Sequence, residues 1–239
     1  MRRVMAVAAA SLLAALPAAA EHTEVIELEL KAGAVEHLQI DTGAGPLEIT
    51  GVPDTDRIRV RAEIRFPDAD ADEAAEILAE RLRLTLEQGI AGAELVAEFN
   101  QTGWRAFLGE SPTMSLDVRV PERYSLEVED GSGSLAIRDV RGDIDVDDGS
   151  GSLVLTNVGG SISIDDGSGS LAIEGAGGDV VIEDGSGSLS VRHVAGSLTV
   201  DDGSGGVTIN GVEGDLTVLD AGSGSLRYDN IGGKVEVRD

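Results

Sequence analysis

Six aspartates recur at a constant interval of 18 residues in the second half of the chain, and each one opens a glycine-serine turn phrase. They are Asp130, Asp148, Asp166, Asp184, Asp202 and Asp220. Stacked carboxylates could share calcium, an ion that binds oxygen ligands and is available outside the cytoplasm. They could equally accept hydrogen bonds from the amides of their own turns, because aspartate is a common turn residue. We predict that no cofactor is needed, with calcium bound by these six aspartates as the alternative.

The 18-residue unit between successive aspartates contains two clusters of alternating apolar residues. Leu135 and Ile144 occupy the same place in the two clusters of the first unit, nine residues apart. Alternation buries one face of a strand, so each unit predicts two short strands and two turns. Such units bury their inner faces only by stacking. The sequence therefore predicts an all-β fold, a parallel β-solenoid with 18-residue coils, with six regular repeats over 129–239 and the aspartates in columns on its outside.

The first 20 residues have the pattern of a secretory signal peptide. Two arginines precede an apolar run from Val4 to Leu16, and small residues follow it before Glu21. An uncleaved membrane anchor is the alternative, although the run is at the short limit for a span. The chain has no cysteine, which excludes disulfides and a lipid-modified cysteine. We predict a signal peptide over 1–20 and one exported domain, periplasmic or secreted, over 21–239.

A different pattern occupies residues 65–112, near the N-terminal end of the domain. An acidic stretch followed by spaced aliphatic residues from Asp68 predicts a short amphipathic helix, and the glycine-containing segment 83–99 predicts a hairpin. We therefore predict a helix-hairpin insertion. Its aromatic residues are expected to pack the helix against the end of the solenoid and cover that edge. A binding patch is the alternative, with Trp104 and Phe107 as partner contacts.

The charge of the chain limits the classes of partner. The formal net charge is −26 and aromatic residues make up 3% of the sequence. Such a chain repels nucleic acid and attracts cations or basic partners. The scarcity of aromatic rings also disfavours a carbohydrate cleft built by stacking.

The sequence offers little that could support catalysis. Its three histidines, at positions 22, 37 and 193, lie in no pattern typical of a catalytic triad or a metal site. Identical carboxylates on every coil suit structure better than a reaction centre, where environments must push pKa values apart. We predict a non-enzyme. The alternative is a calcium-dependent glycan-binding protein or a polysaccharide lyase on a β-helix, with Arg138 as a candidate base.

Three features together resemble a known bacterial family: the opening "HLQIDTGAGPLEITG", the acidic helix before a hairpin, and the repeated "DDGSGSL" phrase. The family of unknown function is labelled "putative adhesin", or toast-rack β-repeat, and the resemblance covers nearly all of the mature chain. It implies a β-helix-like stack at the cell envelope, with some members linked to envelope stress, and brings no catalytic residues. The expected function is that of a non-catalytic cell-envelope scaffold or adhesin-like protein, which presents a repetitive acidic surface to a protein or glycan partner.

Overall fold

The computed structural model describes residues 21–67, 69–100 and 111–238, which form eighteen strands and one helix. The predicted signal peptide and the two predicted partner contacts, Trp104 and Phe107, lie outside the described residues. The strands are β1 (His22–Lys31), β2 (His37–Val52), β3 (Arg57–Phe66), β4 (Leu82–Gln88), β5 (Ala93–Phe99), β6 (Thr113–Pro121), β7 (Ser125–Arg138), β8 (Ile144–Asp148), β9 (Gly151–Val158), β10 (Ile162–Asp166), β11 (Gly169–Ala176), β12 (Val180–Asp184), β13 (Gly187–Val194), β14 (Leu198–Asp202), β15 (Gly205–Val212), β16 (Leu216–Asp220), β17 (Ser225–Ile231) and β18 (Val235–Val237). The helix is α1 (Ala71–Arg81), and no helix of the described residues is long and apolar enough to cross a membrane.

Two rows of parallel strands form the regular part of the molecule. The first row contains β8, β10, β12, β14, β16 and β18, and the second contains β9, β11, β13, β15 and β17. Leu153 pairs with Leu171 in the second row, and Ile144 pairs with Ile162 in the first, in both cases 18 residues apart. The predicted parallel β-solenoid with 18-residue coils, about six in number, is confirmed.

The core lies between the two rows and runs the length of the stack. Alternate residues of each strand point into it, so Leu171 and Ile164 are buried while their neighbours in sequence are not. Another column fills the corner at the end of the longer strands. It contains Val140, Val158, Ala176, Val194 and Val212. Because each coil covers the inner side chains of the next, the aliphatic columns stabilise the stack along its axis.

The N-terminal part joins the same stack in an order that differs from the order of the chain. Strands β2 and β7 are long enough to cross both rows, and they pair in parallel from His37–Ser125 to Thr50–Arg138. On its other side, β2 pairs in parallel with β5 in the first row and with β6 in the second. The coil formed by β2 therefore lies between β6 and β7, although β6 is followed directly by β7 in sequence.

Antiparallel strands complete this end. In the second row β6 pairs with β3, and β3 pairs with β1; in the first row β5 pairs with β4. Helix α1 precedes β4 and begins with a capping box, in which Asp70 Oδ1 accepts hydrogen bonds from the amides of Asp72 and Glu73 at 3.0 Å. Since β5 pairs with β2, the hairpin of β4 and β5 is part of the stack, and α1 leads into it.

Candidate functional site

Five of the six repeated aspartates point into the core and form one column. We call Asp130, Asp148, Asp166, Asp184 and Asp202 the buried aspartate row; their exposed fractions are 4%, 2%, 1%, 3% and 1%. The prediction that these residues lie on the outside of the solenoid is wrong. The alternation of the strand explains why, since Ile144, Val146 and Asp148 are at every second position and share the inner face.

The sixth aspartate, Asp220, does not belong to the row. A register shift after Val200 pairs Asp201 with Asp220, so that Leu219 is the extra residue of this coil. The constant interval of 18 residues predicts Asp220 in register with Asp202, and the register shift overturns that prediction. In the structure Asp220 is exposed and accepts a hydrogen bond from the amide of Gly222 at 2.7 Å.

Hydrogen bonds satisfy the row only in part. Asp148 and Asp166 each accept a bond from the amide two residues on, at 3.2 Å from Ser150 and 3.1 Å from Ser168. Asp130 accepts one from the hydroxyl of Thr42 at 2.8 Å. The equivalent amides of Ser186 and Ser204 lower the pKa values of Asp184 and Asp202, but no oxygen of these two carboxyls has a well-formed hydrogen bond among the described residues.

Thr42 is a member of the site that the sequence analysis did not predict. It pairs with Asp130 across β2 and β7 and is itself buried. Aligning "HLQIDTGAG" with "SLEVEDGSG" in the observed register places Thr42 opposite Asp130 and Asp41 opposite Glu129. Thr42 therefore caps the row at its N-terminal end with a neutral donor.

Burial dominates the electrostatics of the row. It raises the pKa of all five aspartates above the ordinary value, and that of Asp166 to about 6, where the charges of Asp148 and Asp184 add to the effect. Carboxylates stacked about 4.8 Å apart repel by about 0.9 kcal/mol per pair in water and about 3.5 kcal/mol at an effective dielectric constant of 20. The row therefore cannot be fully ionised at neutral pH without a considerable free-energy cost.

The geometry of the row does not favour calcium. Each carboxyl faces one neighbour above and one below, whereas calcium takes six to eight oxygen ligands. Across the described ranges, no group of three or more His, Cys, Asp or Glu side chains is arranged to hold a metal ion. Calcium binding by the repeated aspartates stays a hypothesis that the arrangement of the row weakens.

A second set of carboxylates lies on the outside of the first row. We define the acidic face by these outward-pointing residues: Glu127, Glu129, Asp145, Asp147, Asp165, Glu183 and Asp201. Five consecutive coils place an acid at one position, in register from Glu129 to Asp201. His37 contacts Glu127 at 3.4 Å at the edge of the face.

Positive charge is concentrated on the other row, at its N-terminal end. Arg57 and Arg59 both contact Glu29 on the outside of β1 and β3, and hydrogen bonding from Arg59 lowers the pKa of that carboxyl. Arg119 pairs with Asp117 at 3.3 Å on β6. Farther along the second row, the outside carries small residues such as Ser152 and Ala172, with isolated charges such as Glu174 and Arg192 between them. The two outer faces of the solenoid therefore differ in charge.

The residues considered for catalysis are not brought to the aspartate row. Arg138 lies at the end of β7 on the second row and pairs with Glu48 at 2.7 Å. His22 contacts Glu24 at 2.8 Å on the edge strand β1, and His193 is in a left-handed turn with φ 56°. None of the contacts of these three residues is with the row.

The fold and these two sets of acids define a parallel β-solenoid protein with an acidic outer face. No family model and no curated protein matches the chain. Its fold is similar to that of a "putative cell adhesion protein" from Clostridium sporogenes (12% identity, TM-score 0.46, 91% of this chain and 100% of the other). It is also similar to that of a "putative adhesin" from Bacteroides fragilis (11% identity, TM-score 0.45, 90% of this chain and 97% of the other). A third similar structure is a "putative lipid binding protein" from Parabacteroides distasonis (11% identity, TM-score 0.42, 91% of this chain and 94% of the other).

Proposed function

We propose that this chain is a non-catalytic, exported scaffold or adhesin-like interaction protein, and that its acidic face binds a cationic protein or glycan partner at the cell envelope. The observation that carries the proposal is the acid in register on five consecutive coils, from Glu129 to Asp201. No lysine or arginine occupies these positions.

A rigid row of like charges suits recognition by many weak contacts. The strands hold the carboxylates at a spacing of about 4.8 Å, so a partner with several positive groups could bind several acids at once. A field of one sign also speeds the encounter with an oppositely charged partner. Because each acid has nearly the same surroundings, the face has no pair of groups suited to opposite roles in catalysis.

The exported location rests on the pattern of residues 1–20. Export would place the acidic face in the periplasm or outside the cell, where basic proteins and amine-bearing glycans are accessible to it. The involvement in envelope stress implied by the family resemblance belongs to this proposal, and induction of the gene by envelope-damaging agents would support it.

Binding of an oligolysine peptide tests the proposal directly. The variant D147N/D165N/E183Q removes three charges from the acidic face. The matched control E76Q/E174Q/E213Q removes three exposed charges from α1, from β11 and from the turn after β15. Both proteins have the same net charge, so a difference between them measures the position of the charge rather than its amount.

We expect the acidic-face variant to bind the peptide at least about tenfold more weakly than the control, with a smaller dependence on salt. Equal binding by the two variants would show that the peptide responds to net charge alone and would contradict the proposal.

A further inference from the structure

The buried aspartate row has no role in the proposed function, because its side chains face away from the acidic face. Burying one carboxyl without a cationic partner is already unfavourable, and this chain repeats the arrangement on five coils. The aspartates are held in register with one another by parallel pairing of β7, β8, β10, β12 and β14. The column therefore follows directly from the pairing of the strands.

Within the described part of the chain, no positively charged side chain forms an ion pair with the row. From β2 it is faced by Thr42, and from the following coil by Asp220, whose negative charge acts on Asp202. The next residues along the strands are acids too: Asp147, Asp165 and Asp201 each raise the pKa of the aspartate that follows. The basic residues of the second row, Arg138, Arg192, His193 and Arg227, are at exposed positions, and Arg138 pairs with Glu48 instead.

Several carboxyl oxygens of the row lack a well-formed hydrogen bond. Among the described residues this holds for Asp166 Oδ2 and for both oxygens of Asp184 and Asp202, whose turn amides, Ser186 and Ser204, only partly offset the effect of burial on the pKa. A proton placed on one carboxyl of such a column would supply the missing donor, because a protonated carboxyl donates one hydrogen bond and its ionised neighbour accepts it. Bonds between a carboxyl and a carboxylate are short and strong, and one proton would satisfy two residues.

We propose that the buried aspartate row binds protons that neighbouring coils share, so that mild acid stabilises the solenoid and a rise to neutral pH weakens it. The protons belong to the row as a whole, since strongly interacting acids titrate together. The pKa values of the row are raised above those of the unfolded chain, so the stabilisation is complete below about pH 4 and is lost as pH rises through the raised values, which for Asp166 is about 6. An exported protein would experience this range of pH in its surroundings.

The test compares Asp166→Asn with Asp165→Asn. The two variants remove the same charge from adjacent residues, one inside the row and one on the acidic face. Urea unfolding from pH 4.5 to 8 gives the protons released on unfolding from the slope of stability against pH. We expect Asp165→Asn to keep most of the slope of the unmodified chain near pH 5, because the charge of Asp165 is the smallest of the influences on Asp166, and Asp166→Asn to release about one proton fewer.

Infrared spectroscopy provides a readout that does not depend on stability. At pH 6 an ordinary aspartate is ionised, so a protonated-carboxyl C=O band in the folded, unmodified chain is expected to come from the row. The band should weaken in Asp166→Asn and persist in Asp165→Asn. Should Asp166→Asn fail to fold, Asp184→Asn takes its place in both measurements. Equal pH slopes for the two variants, or the absence of the band at pH 6, would overturn the proposal.

Discussion

A column of glycines provides the most direct test of how the coils stack. Gly133, Gly151, Gly169, Gly187 and Gly205 occupy one position of the repeat, all with φ between +137° and +152°. A Cβ atom at Gly169 would overlap the carbonyl oxygen of Gly151 in the coil below. The backbone at Gly151 cannot easily move away, because the amide of the same residue donates to the carbonyl of Ser168 at 2.9 Å. We therefore predict that Gly169→Ala strongly destabilises the protein.

The expected loss has two parts. A backbone conformation that is almost restricted to glycine costs about 1–3 kcal/mol for alanine, and forcing apart two packed coils costs about 1–3 kcal/mol more. A total of about 4 kcal/mol corresponds to a fall of about 8–16 °C in melting temperature for a domain of this size.

Thermal unfolding followed by circular dichroism measures this loss, with Gly206→Ser as the matched control. Gly206 is one residue from the column and pairs with Ser188 and Ser225 in the neighbouring coils. A Cβ at Gly206 would lie 3.7 Å from the Oγ of Ser225 and meets nothing else nearby. We expect Gly206→Ser to be neutral or to stabilise by about 0.5 kcal/mol. A Gly169→Ala protein that melts within about 2 °C of the unmodified chain would refute this account, since such a small change corresponds to less than about 1 kcal/mol.

Three further perturbations follow from the structure. Leu171→Ala should lower the free energy of unfolding by about 2–5 kcal/mol in urea titrations, because it opens a cavity in a fully buried column. Val154 is 41% exposed on the outside, so Val154→Ala should change the free energy of unfolding by less than about 0.5 kcal/mol. Similar losses for both variants would contradict the assignment of inner and outer faces. Asp70→Ala should cost about 1 kcal/mol through loss of the capping box of α1, and Asp70→Asn should retain most of it in the same titration; equal losses would show that the cap is not the cause. Millimolar calcium should raise the melting temperature no more than magnesium at equal ionic strength, because the aspartate row offers too few oxygens; a calcium-specific rise that EDTA reverses would restore the calcium hypothesis.

Much of the regular fold could be predicted from the sequence because the repeat is strict. Residues 18 apart, such as Leu135 and Leu153, are nearly identical in type, and only stacking of the coils lets all of them be buried. The turn amides of Ser150 and Ser168 could also be anticipated, since an aspartate before Gly-Ser favours this bond.

The side of the strand on which the aspartates lie was harder to predict. A charged residue is expected outside, and Asp148 departs from that expectation because the alternation that buries Ile144 and Val146 continues through it. In this case the two-residue alternation of the strand outweighed the preference of a charged side chain for solvent. The position of β2 between β6 and β7 could not be inferred, because the alternating residues of β2 indicate a strand but not which strands lie next to it.

The placement of β2 has a consequence for the order in which the chain can assemble. Residues 37–52 obtain their second neighbouring coil only once residues 125–138 are available, so roughly the first half of the chain must close as a unit. From β8 onward each coil needs only its predecessor and can add as it emerges. During folding the N-terminal half would therefore act as the template, and growth would proceed in one direction away from it.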